Sequence, residues 1–214
     1  MGDMTLVIGN KNYSSWSLRP WLAMKVAGLD FEEILIPLYE GDYKKKILKY
    51  SPAGKVPILI DGAVTVWDSL AILEYLAEKF PDRNLWPADK AARARARSVC
   101  SEMHSGFMAL RKECPMDIRK DSENKSLSDQ ARSDVARIQR IWSETRKQYG
   151  KKDDFLFGKF TIADAMFAPV VFRFRTYGMK LDATARAYSN TMLALPALQE
   201  WIHAAQEEPY VIKH

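Results

Sequence analysis

The hydrophobic pattern in the first third of this chain is that of short strands. Apolar residues run together at residues 5–8 and again at residues 31–37, and Gly9-Asn10 supplies a turn signal after the first run. Further apolar runs at residues 57–60 and 63–67 flank Asp61-Gly62, a dipeptide that favours a tight hairpin turn. These patterns predict four short strands, the last two joined as a hairpin.

Helical spacing separates and follows these strands. Ser17 is placed to cap a helix that ends near Gly28, and residues 69–80 carry apolar side chains on one side before Pro81. Residues 39–50 are polar and lysine-rich, which predicts a short irregular helix. The predicted order is strand, helix, strand, irregular helix, strand, strand, helix. This is the order of a thioredoxin-like domain.

The pattern changes after residues 81–89, a stretch rich in turn residues. Apolar residues beyond this linker recur at helical spacing, and no alternating run follows. The predicted helices cover residues 89–114, 128–149, 161–175 and 196–206. We therefore predict an α+β chain of two domains, with a thioredoxin-like domain at residues 1–82 and an all-helical bundle at residues 88–214.

Composition narrows the class of protein. The chain has 214 residues, of which 47% are apolar, enough for a substantial buried core. Its 32 basic and 27 acidic residues give a net charge of +5, which is typical of an ordinary solvated surface and not of a nucleic-acid-binding stripe. We expect a cytoplasmic protein, because the sequence contains no apolar run of membrane-spanning length and no signal-peptide pattern.

The positions of cysteine and histidine indicate neither a redox pair nor a metal site. Cys100 and Cys114 fall within one predicted helix, too far apart to pair. His104, His203 and His214 share no ligand spacing. We therefore expect two reduced thiols and no bound metal.

Four local motifs occur in an order that resembles the cytosolic glutathione transferases over nearly the whole chain. Residues 14–19 read Ser-Ser-Trp-Ser-Leu-Arg before the first helix, and residues 51–57 read Ser-Pro-Ala-Gly-Lys-Val-Pro before the third strand. Trp-Asp-Ser at residues 67–69 begins the third helix, and Thr-Ile-Ala-Asp at residues 161–164 has the form of a helix-capping box. The Ser-Ser-x-Ser pattern is similar to that of zeta-type members, within a bacterial cytosolic type.

The resemblance implies a glutathione site at the entry to the third strand. In this fold the proline here, Pro57, follows a cis peptide bond, which turns the Val56 amide and carbonyl outward to pair with the cysteinyl backbone of glutathione. Lys55 either neutralises a glutathione carboxylate or is a solvated lysine. Without the surrounding motifs, Val56-Pro57 is equally a plain strand entry.

Asp68 and Ser69 stand at the start of the third predicted helix. The resemblance implies that Ser69 and the free backbone amides there bind the γ-glutamyl carboxylate. The family more often carries Glu or Gln at the position of Asp68, so the shorter side chain is expected to reach the glutamyl amine through water. Taken alone, the two residues are a plain helix cap.

The resemblance also implies that Ser14 activates glutathione. A free thiol has a pKa near ~8.5, so the thiolate is a minor species at neutral pH. A hydroxyl hydrogen bond and a helix amino terminus together would stabilise it. Ser15 is the nearest alternative and a further glutathione contact, Tyr13 is a weaker alternative, and a purely structural role as helix caps stays open for the serines.

The motifs say less about which residues would bind the electrophile. Trp16 stands where zeta-type isomerases have a cysteine, which disfavours maleylacetoacetate isomerase and any reaction that needs a second nucleophilic thiol. In the fold that this chain resembles, the first helix of the second domain faces the active site. His104, Phe107, Met108 and Arg111 are therefore either pocket residues or core residues.

These features predict a detoxifying glutathione transferase that activates the glutathione thiol for attack on a hydrophobic electrophile. No other cofactor is expected. The alternative from a different class is a GST-like binding or regulatory protein, similar to the stringent starvation proteins, and the alternative among enzymes is a glutathione-dependent isomerase. By the same resemblance we expect a two-fold homodimer that binds neither nucleic acid nor membrane.

Overall fold

The amino-terminal part of the chain contains a four-stranded mixed sheet. A computed structural model describes residues 4–120, 125–150 and 154–212. The strands are β1 (Met4–Ile8), β2 (Glu32–Leu35), β3 (Ile58–Asp61) and β4 (Val64–Trp67). Their order in the sheet is β2-β1-β3-β4, with β1 parallel to β2 and antiparallel to β3, and β3 antiparallel to β4. The predicted thioredoxin-like arrangement and the hairpin are confirmed.

Three helices cover the two faces of this sheet. They are α1 (Ser15–Val26), α2 (Tyr43–Leu48) and α3 (Ser69–Lys79). Side chains alternate between faces along a strand. Leu6 therefore packs into the main core with α1 and α3, whereas its neighbour Val7 packs into a smaller cluster with Ile47 of α2.

The start of α1 differs from the prediction. Ser14 is the N-cap and the helix begins at Ser15, so the assignment of Ser17 as the cap was wrong. Ser17 Oγ instead accepts hydrogen bonds from the Gly9 amide at 3.0 Å and from the Ser14 hydroxyl at 2.7 Å. These bonds tie the first turn of α1 to the end of β1, a contact that local capping preferences do not encode.

Six helices form the rest of the described chain, after a short 3-10 turn at Pro81–Arg83. They are α4 (Lys90–Ser105), α5 (Met108–Glu113), α6 (Asp129–Thr145), α7 (Ile162–Thr176), α8 (Ala183–Leu193) and α9 (Pro196–Glu207). Helix α6 continues into a π-helical turn at Arg146–Gly150. Helix α7 is buried on nearly every side because it packs against α1, α4 and α8.

The helical part departs from the prediction in two places. The single helix expected at residues 89–114 is two helices, because Phe107 adopts a left-handed conformation with φ of 60°. Gly106 permits the turn, since an added Cβ there would lie 2.7 Å from the Glu102 carbonyl oxygen. Helix α8 was not predicted. Its buried positions recur at helical spacing, but alanine and serine occupy two of the four, so the apolar signal in the sequence is weak.

Cys100 and Cys114 consequently lie on different elements. Both are buried free thiols, Cys100 within α4 and Cys114 at the end of α5. Burial raises the pKa of both thiols above the ordinary cysteine value. This environment is that of an unreactive structural cysteine.

The predicted capping box at the start of α7 is confirmed, and its carboxylate is a buried hub. Asp164 accepts hydrogen bonds from the Thr161 amide at 2.8 Å and the Thr161 hydroxyl at 3.2 Å. It also accepts from the Leu156 amide and the Tyr188 hydroxyl, both at 3.1 Å. Burial raises the pKa of Asp164 to about 6, while these hydrogen bonds act in the opposite direction. One carboxylate thereby joins α7, α8 and the preceding loop.

A single hydrophobic core runs through the sheet part and the helical part. Leu73 of α3, Val99 of α4 and Phe167 of α7 all belong to it. The division into two domains, at residues 1–82 and 88–214, therefore stays a prediction. In residues 4–120, 125–150 and 154–212, no helix combines the length and apolar character needed to cross a membrane.

Candidate active site

A cleft of about 1250 Å³ lies between the sheet part and the helical part. The loop after β1 and helix α2 contribute one wall, and α4, α5 and α7 contribute the other. The cleft brings together four of the seven predicted site residues: Ser14, Ser15, Lys55 and Val56.

Ser14 combines a hydroxyl with a helix amino terminus at the base of this cleft. Only 6% of the residue is exposed, and its Oγ lies 2.7 Å from Ser17 Oγ. It also accepts a longer hydrogen bond from the Ser17 amide at 3.4 Å. The aligned peptide dipoles of α1 place a partial positive charge at this position. An anion beside Ser14 would therefore meet a hydroxyl donor and a favourable field.

The two alternatives to Ser14 also line the cleft, and each is held by an arginine. Ser15 Oγ accepts a hydrogen bond from Arg173 at 3.3 Å, and the Tyr13 hydroxyl accepts one from Arg119 at 3.1 Å. Of the three hydroxyl residues, only Ser14 occupies the helix cap. The geometry keeps all three beside the cleft and places Ser14 at the helix amino terminus.

The loop before β3 presents an unpaired stretch of backbone to the cleft. The Val56–Pro57 peptide bond is cis, as the resemblance implied. In the described part of the chain, the Val56 amide and carbonyl pair with no other backbone group. Pro57 is buried, and the exposed Lys55 side chain lines the cleft. An extended peptide would find both a donor and an acceptor at Val56.

Asp68 and Ser69 lie beside the cleft and not in its lining. Asp68 has φ of 74°, a conformation that side chains other than glycine rarely adopt, and its Oδ1 accepts from the amides of Leu70 and Ala71 at 2.9 and 3.3 Å. Ser69 is buried, and its hydroxyl has no hydrogen-bond partner among the described residues. His104 joins this pair to the cleft, because its Nε2 lies 3.1 Å from Asp68 Oδ2.

Three of the four helical residues expected at the electrophile pocket line the cleft. These are His104, Met108 and Arg111, with Trp16 among the lining residues of the opposite part. Phe107 is instead a core residue, the other possibility left open by the sequence, because the left-handed turn between α4 and α5 buries it. Met108 is 67% exposed, so an apolar surface faces the open cleft.

Three arginines surround Trp16 and Ser15, and the motifs had singled out only Arg111. The guanidinium carbons of Arg19 and Arg111 lie 4.3 and 4.8 Å from the centroid of the Trp16 ring. Arg173 is also buried, donates to Ser15 and bonds to the Cys114 carbonyl. An arginine directly after the uncharged run at residues 165–172 of α7 was the available sequence signal for Arg173.

Arg19 is expected to lower the stability of the fold. It is fully buried, and none of its guanidinium nitrogens has a hydrogen-bond partner among the described residues. Burial, followed by the charges of Arg111 and Arg173, holds the pKa of Arg19 well below its ordinary value. Arg19→Met keeps an unbranched side chain and removes this charge. We expect it to raise the free energy of unfolding by roughly 1–3 kcal/mol, measured by urea denaturation at pH 7.

Lys25→Met is the matched control for this substitution, because Lys25 lies on the same helix and keeps part of its side chain in solvent, beside Glu200. We expect it to change the free energy of unfolding by less than about 1 kcal/mol. Destabilisation by Arg19→Met would show that the guanidinium has a favourable partner in solution.

The carboxy-terminal segment forms part of the cleft wall, which no local pattern had indicated. Val211 and Ile212 line the cleft. Glu208 anchors the segment, since its carboxylate accepts from the Lys11 amide at 2.6 Å and the Asn12 amide at 3.1 Å. The first of these bonds joins residues 197 positions apart, so only the tertiary fold brings them together.

Among the residues that the structure describes, no cluster of His, Cys, Asp or Glu is arranged to hold a metal ion.

The fold and the cleft define a class of protein: a thioredoxin-like part with an unpaired stretch of backbone at the cleft, joined to a helical part that forms the opposite wall. Comparison with known families agrees. The glutathione S-transferase N-terminal domain matches residues 13–79, and the glutathione S-transferase C-terminal domain matches residues 91–204. The chain therefore belongs to the glutathione S-transferase family.

Relatives with assigned names include zeta-class proteins. The chain is 28% identical over 212 residues to glutathione S-transferase Z2 of Arabidopsis thaliana, covering 92% of each protein. It is 28% identical over 189 residues to a probable maleylacetoacetate isomerase of Caenorhabditis elegans, covering 86% of this chain and 85% of the relative. A match of 43% to glutathione S-transferase 1 of Dianthus caryophyllus spans 98 residues, 45% of this chain and 44% of that protein.

Solved structures share the fold across almost the whole chain. A glutathione transferase homologue from Burkholderia with bound glutathione has a TM-score of 0.72 at 25% identity, covering 96% of this chain and all of that one. The nitrogen regulation fragment of the yeast prion protein Ure2p has a TM-score of 0.70 at 21% identity, covering 97% of each chain. A glutathione transferase homologue and a nitrogen regulation fragment therefore share this architecture. The fold does not decide the function, so the functional argument depends on the site residues.

Proposed function

We propose that this chain is a glutathione transferase in which Ser14 stabilises the glutathione thiolate for attack on a hydrophobic electrophile. The observation that carries the proposal is the position of Ser14 as the cap of α1 at the base of the cleft. A donor and a helix field at one point are what a thiolate needs. Lowering a thiol pKa by about two units requires about 2.7 kcal/mol of selective stabilisation of the anion.

Ser17 supports Ser14 in this role. The Gly9 amide and the Ser17 hydroxyl form a short chain that ends at Ser14 Oγ. Because a hydroxyl can rotate, Ser17 can donate to Ser14 while Ser14 donates to the sulfur. In the resting arrangement Ser14 donates to Ser17, so binding of a thiolate would reverse that single hydrogen bond.

The remaining predicted residues would position the glutathione peptide. The unpaired amide and carbonyl of Val56 suit the cysteinyl backbone, and Lys55 supplies a positive charge beside them. The buried hydroxyl of Ser69 has no partner and suits the γ-glutamyl carboxylate. Asp68 supplies the negative charge for the amino group of the same moiety.

The second substrate would bind against the helical side of the cleft. Trp16 and Met108 offer exposed apolar surface there, and Val211 and Ile212 extend it. This lining supports a hydrophobic electrophile. Arg111 and Arg173 add positive charge to the same wall.

A glutathione-dependent isomerase is the second candidate, because relatives aligned over most of the chain are named as probable or established maleylacetoacetate isomerases. Trp16 argues against that reaction here, since it occupies the position at which the zeta-type motif carries a cysteine. A non-catalytic binding protein shares the fold but has no use for a capping serine beside an unpaired glutathione-binding backbone.

We also propose that the chain acts as a cytoplasmic homodimer that binds neither nucleic acid nor membrane.

Calorimetric titration of the purified protein with reduced glutathione tests this function, with oxidised glutathione as the control. We expect saturable binding at one site per subunit, with a Kd between micromolar and millimolar. Binding of neither form would reject the transferase and favour an interaction protein. Sedimentation of the protein as a monomer at micromolar concentration would reject the homodimer.

A further inference from the structure

His104 is the one cleft-lining residue in the described structure that contacts Asp68. It lies in the last turn of α4, and its Nε2 is 3.1 Å from Asp68 Oδ2. The ring also meets Trp16 edge-on, with 5.4 Å between centroids. Ring packing on one side and the carboxylate on the other fix the imidazole in one orientation. The residue thus connects the helical part to the sheet part beside the proposed γ-glutamyl site.

The two carboxylate oxygens of Asp68 have different partners. Oδ1 accepts the Leu70 and Ala71 amides and is committed to capping α3. Oδ2 is therefore the oxygen available to a ligand, and His104 contacts this oxygen. A carboxylate oxygen has two lone pairs, so an imidazole donor on one of them leaves the other in a set direction. The Asp68 side chain is 44% exposed, which gives an incoming cation access.

We propose that His104 is a positioning residue for glutathione, which holds Asp68 so that Oδ2 pairs directly with the γ-glutamyl ammonium group. The inference rests on the proposed glutathione site and adds a contribution from the helical part. This direct contact replaces the expected water bridge. Asp68 has a shorter side chain than the Glu or Gln that most of the family carries, and His104 of the helical part holds its carboxylate in place.

The charges around His104 favour this arrangement. Asp68 faces it from the start of α3, Arg111 of α5 donates to its carbonyl oxygen at 3.4 Å, and Arg19 of α1 lies beneath the neighbouring Trp16 ring. Two fixed cations on the Trp16 side repel an ammonium group. Asp68 is the acidic group on the opposite side of the imidazole. A ligand amine is consequently directed to Oδ2.

Two variants and two ligands test this role. His104→Leu removes the donor, and His104→Gln restores a neutral donor of similar reach. Glutathione is compared with its deamino analogue, glutaryl-cysteinyl-glycine, which lacks only the amino group. We expect His104→Leu to raise the Kd for glutathione about five- to tenfold, with the loss in KM and not in kcat, and His104→Gln to recover most of it. The deamino analogue should bind all three proteins equally.

The analogue also controls for misfolding, because a collapsed site would lose both ligands. Two results would overturn the role of His104 and leave the proposed function intact. One is equal glutathione affinity in all three proteins. The other is a folded His104→Leu protein whose affinity for both ligands falls in parallel. In an Asp68→Asn background, His104→Leu should have no further effect on glutathione, and a persisting fivefold loss would contradict the proposal. Failure of the unmodified protein to bind glutathione would instead reject the proposed function itself.

Discussion

Ser14→Ala is expected to lower turnover about 100- to 1000-fold while changing the Kd for glutathione less than about threefold. In the proposed site the hydroxyl would act on the sulfur, whereas Val56, Asp68 and Ser69 would hold the peptide elsewhere. Removing it raises the pKa of the bound thiol and so reduces the fraction of thiolate at neutral pH. The thiolate can be followed by its ultraviolet absorbance as bound glutathione is titrated with base, and turnover by conjugation of an aromatic electrophile.

Two neighbouring serines are the controls for this substitution. Ser17→Ala removes the donor behind Ser14 and is expected to reduce turnover about tenfold, because the Ser14 hydroxyl remains. Ser15→Ala loses its bond to Arg173 and is expected to act mainly on binding. If Ser15→Ala or Tyr13→Phe abolishes turnover while Ser14→Ala does not, the catalytic role belongs to that residue.

Asp164→Ala is expected to lower the free energy of unfolding by about 3–5 kcal/mol, a large fraction of the roughly 5–15 kcal/mol that is usual for a folded protein. The substitution removes the acceptor of four hydrogen bonds at the start of α7. The Leu156 amide and the Tyr188 hydroxyl would then be buried donors without partners. Urea denaturation followed by tryptophan fluorescence measures the change.

An exposed cap provides the control for Asp164. Asp182 caps α8 in contact with solvent and accepts two hydrogen bonds, from the Ala185 amide at 2.8 Å and from the Ser143 hydroxyl at 3.4 Å. We expect Asp182→Ala to cost only about 1 kcal/mol, because water replaces the lost acceptor. Asp164→Asn should fall between the two, since it keeps one acceptor oxygen. Equal effects of Asp164→Ala and Asp182→Ala would contradict the hub role of Asp164.

Local sequence signals predicted most of the elements. The Asp61-Gly62 hairpin and the starts of the helices predicted from residues 89 and 128 are found where the patterns placed them. These features depend on neighbours in sequence, so short motifs encode them. Helix α8 and the break at Gly106 and Phe107 were missed, because packing against other helices selects them over local preference.

For the site, the motifs indicated which residues belong to the cleft more reliably than they indicated hydrogen-bond partners. Ser14, Ser15, Lys55 and Val56 do line one cleft. The exchange of roles between Ser14 and Ser17 was not predicted, since it depends on the position of the Gly9 amide at the end of β1. Whether Phe107 belongs to the pocket or to the core stayed open, because the turn that buries it depends on tertiary packing.

The sequence by itself determined the element order of the thioredoxin-like part, the all-helical character of the rest, the family and the residues that carry the proposed thiolate and peptide contacts. Those properties follow from periodicity and from short motifs, whose physical determinants lie within a few residues of each other. The tertiary structure alone decided the contact of His104 with Asp68, the placement of Arg19 against Trp16 and of Arg173 in the cleft wall, and the extension of that wall by Val211 and Ile212. Each of these joins distant parts of the chain, and burial, charge and shape select such contacts only after the helices have packed.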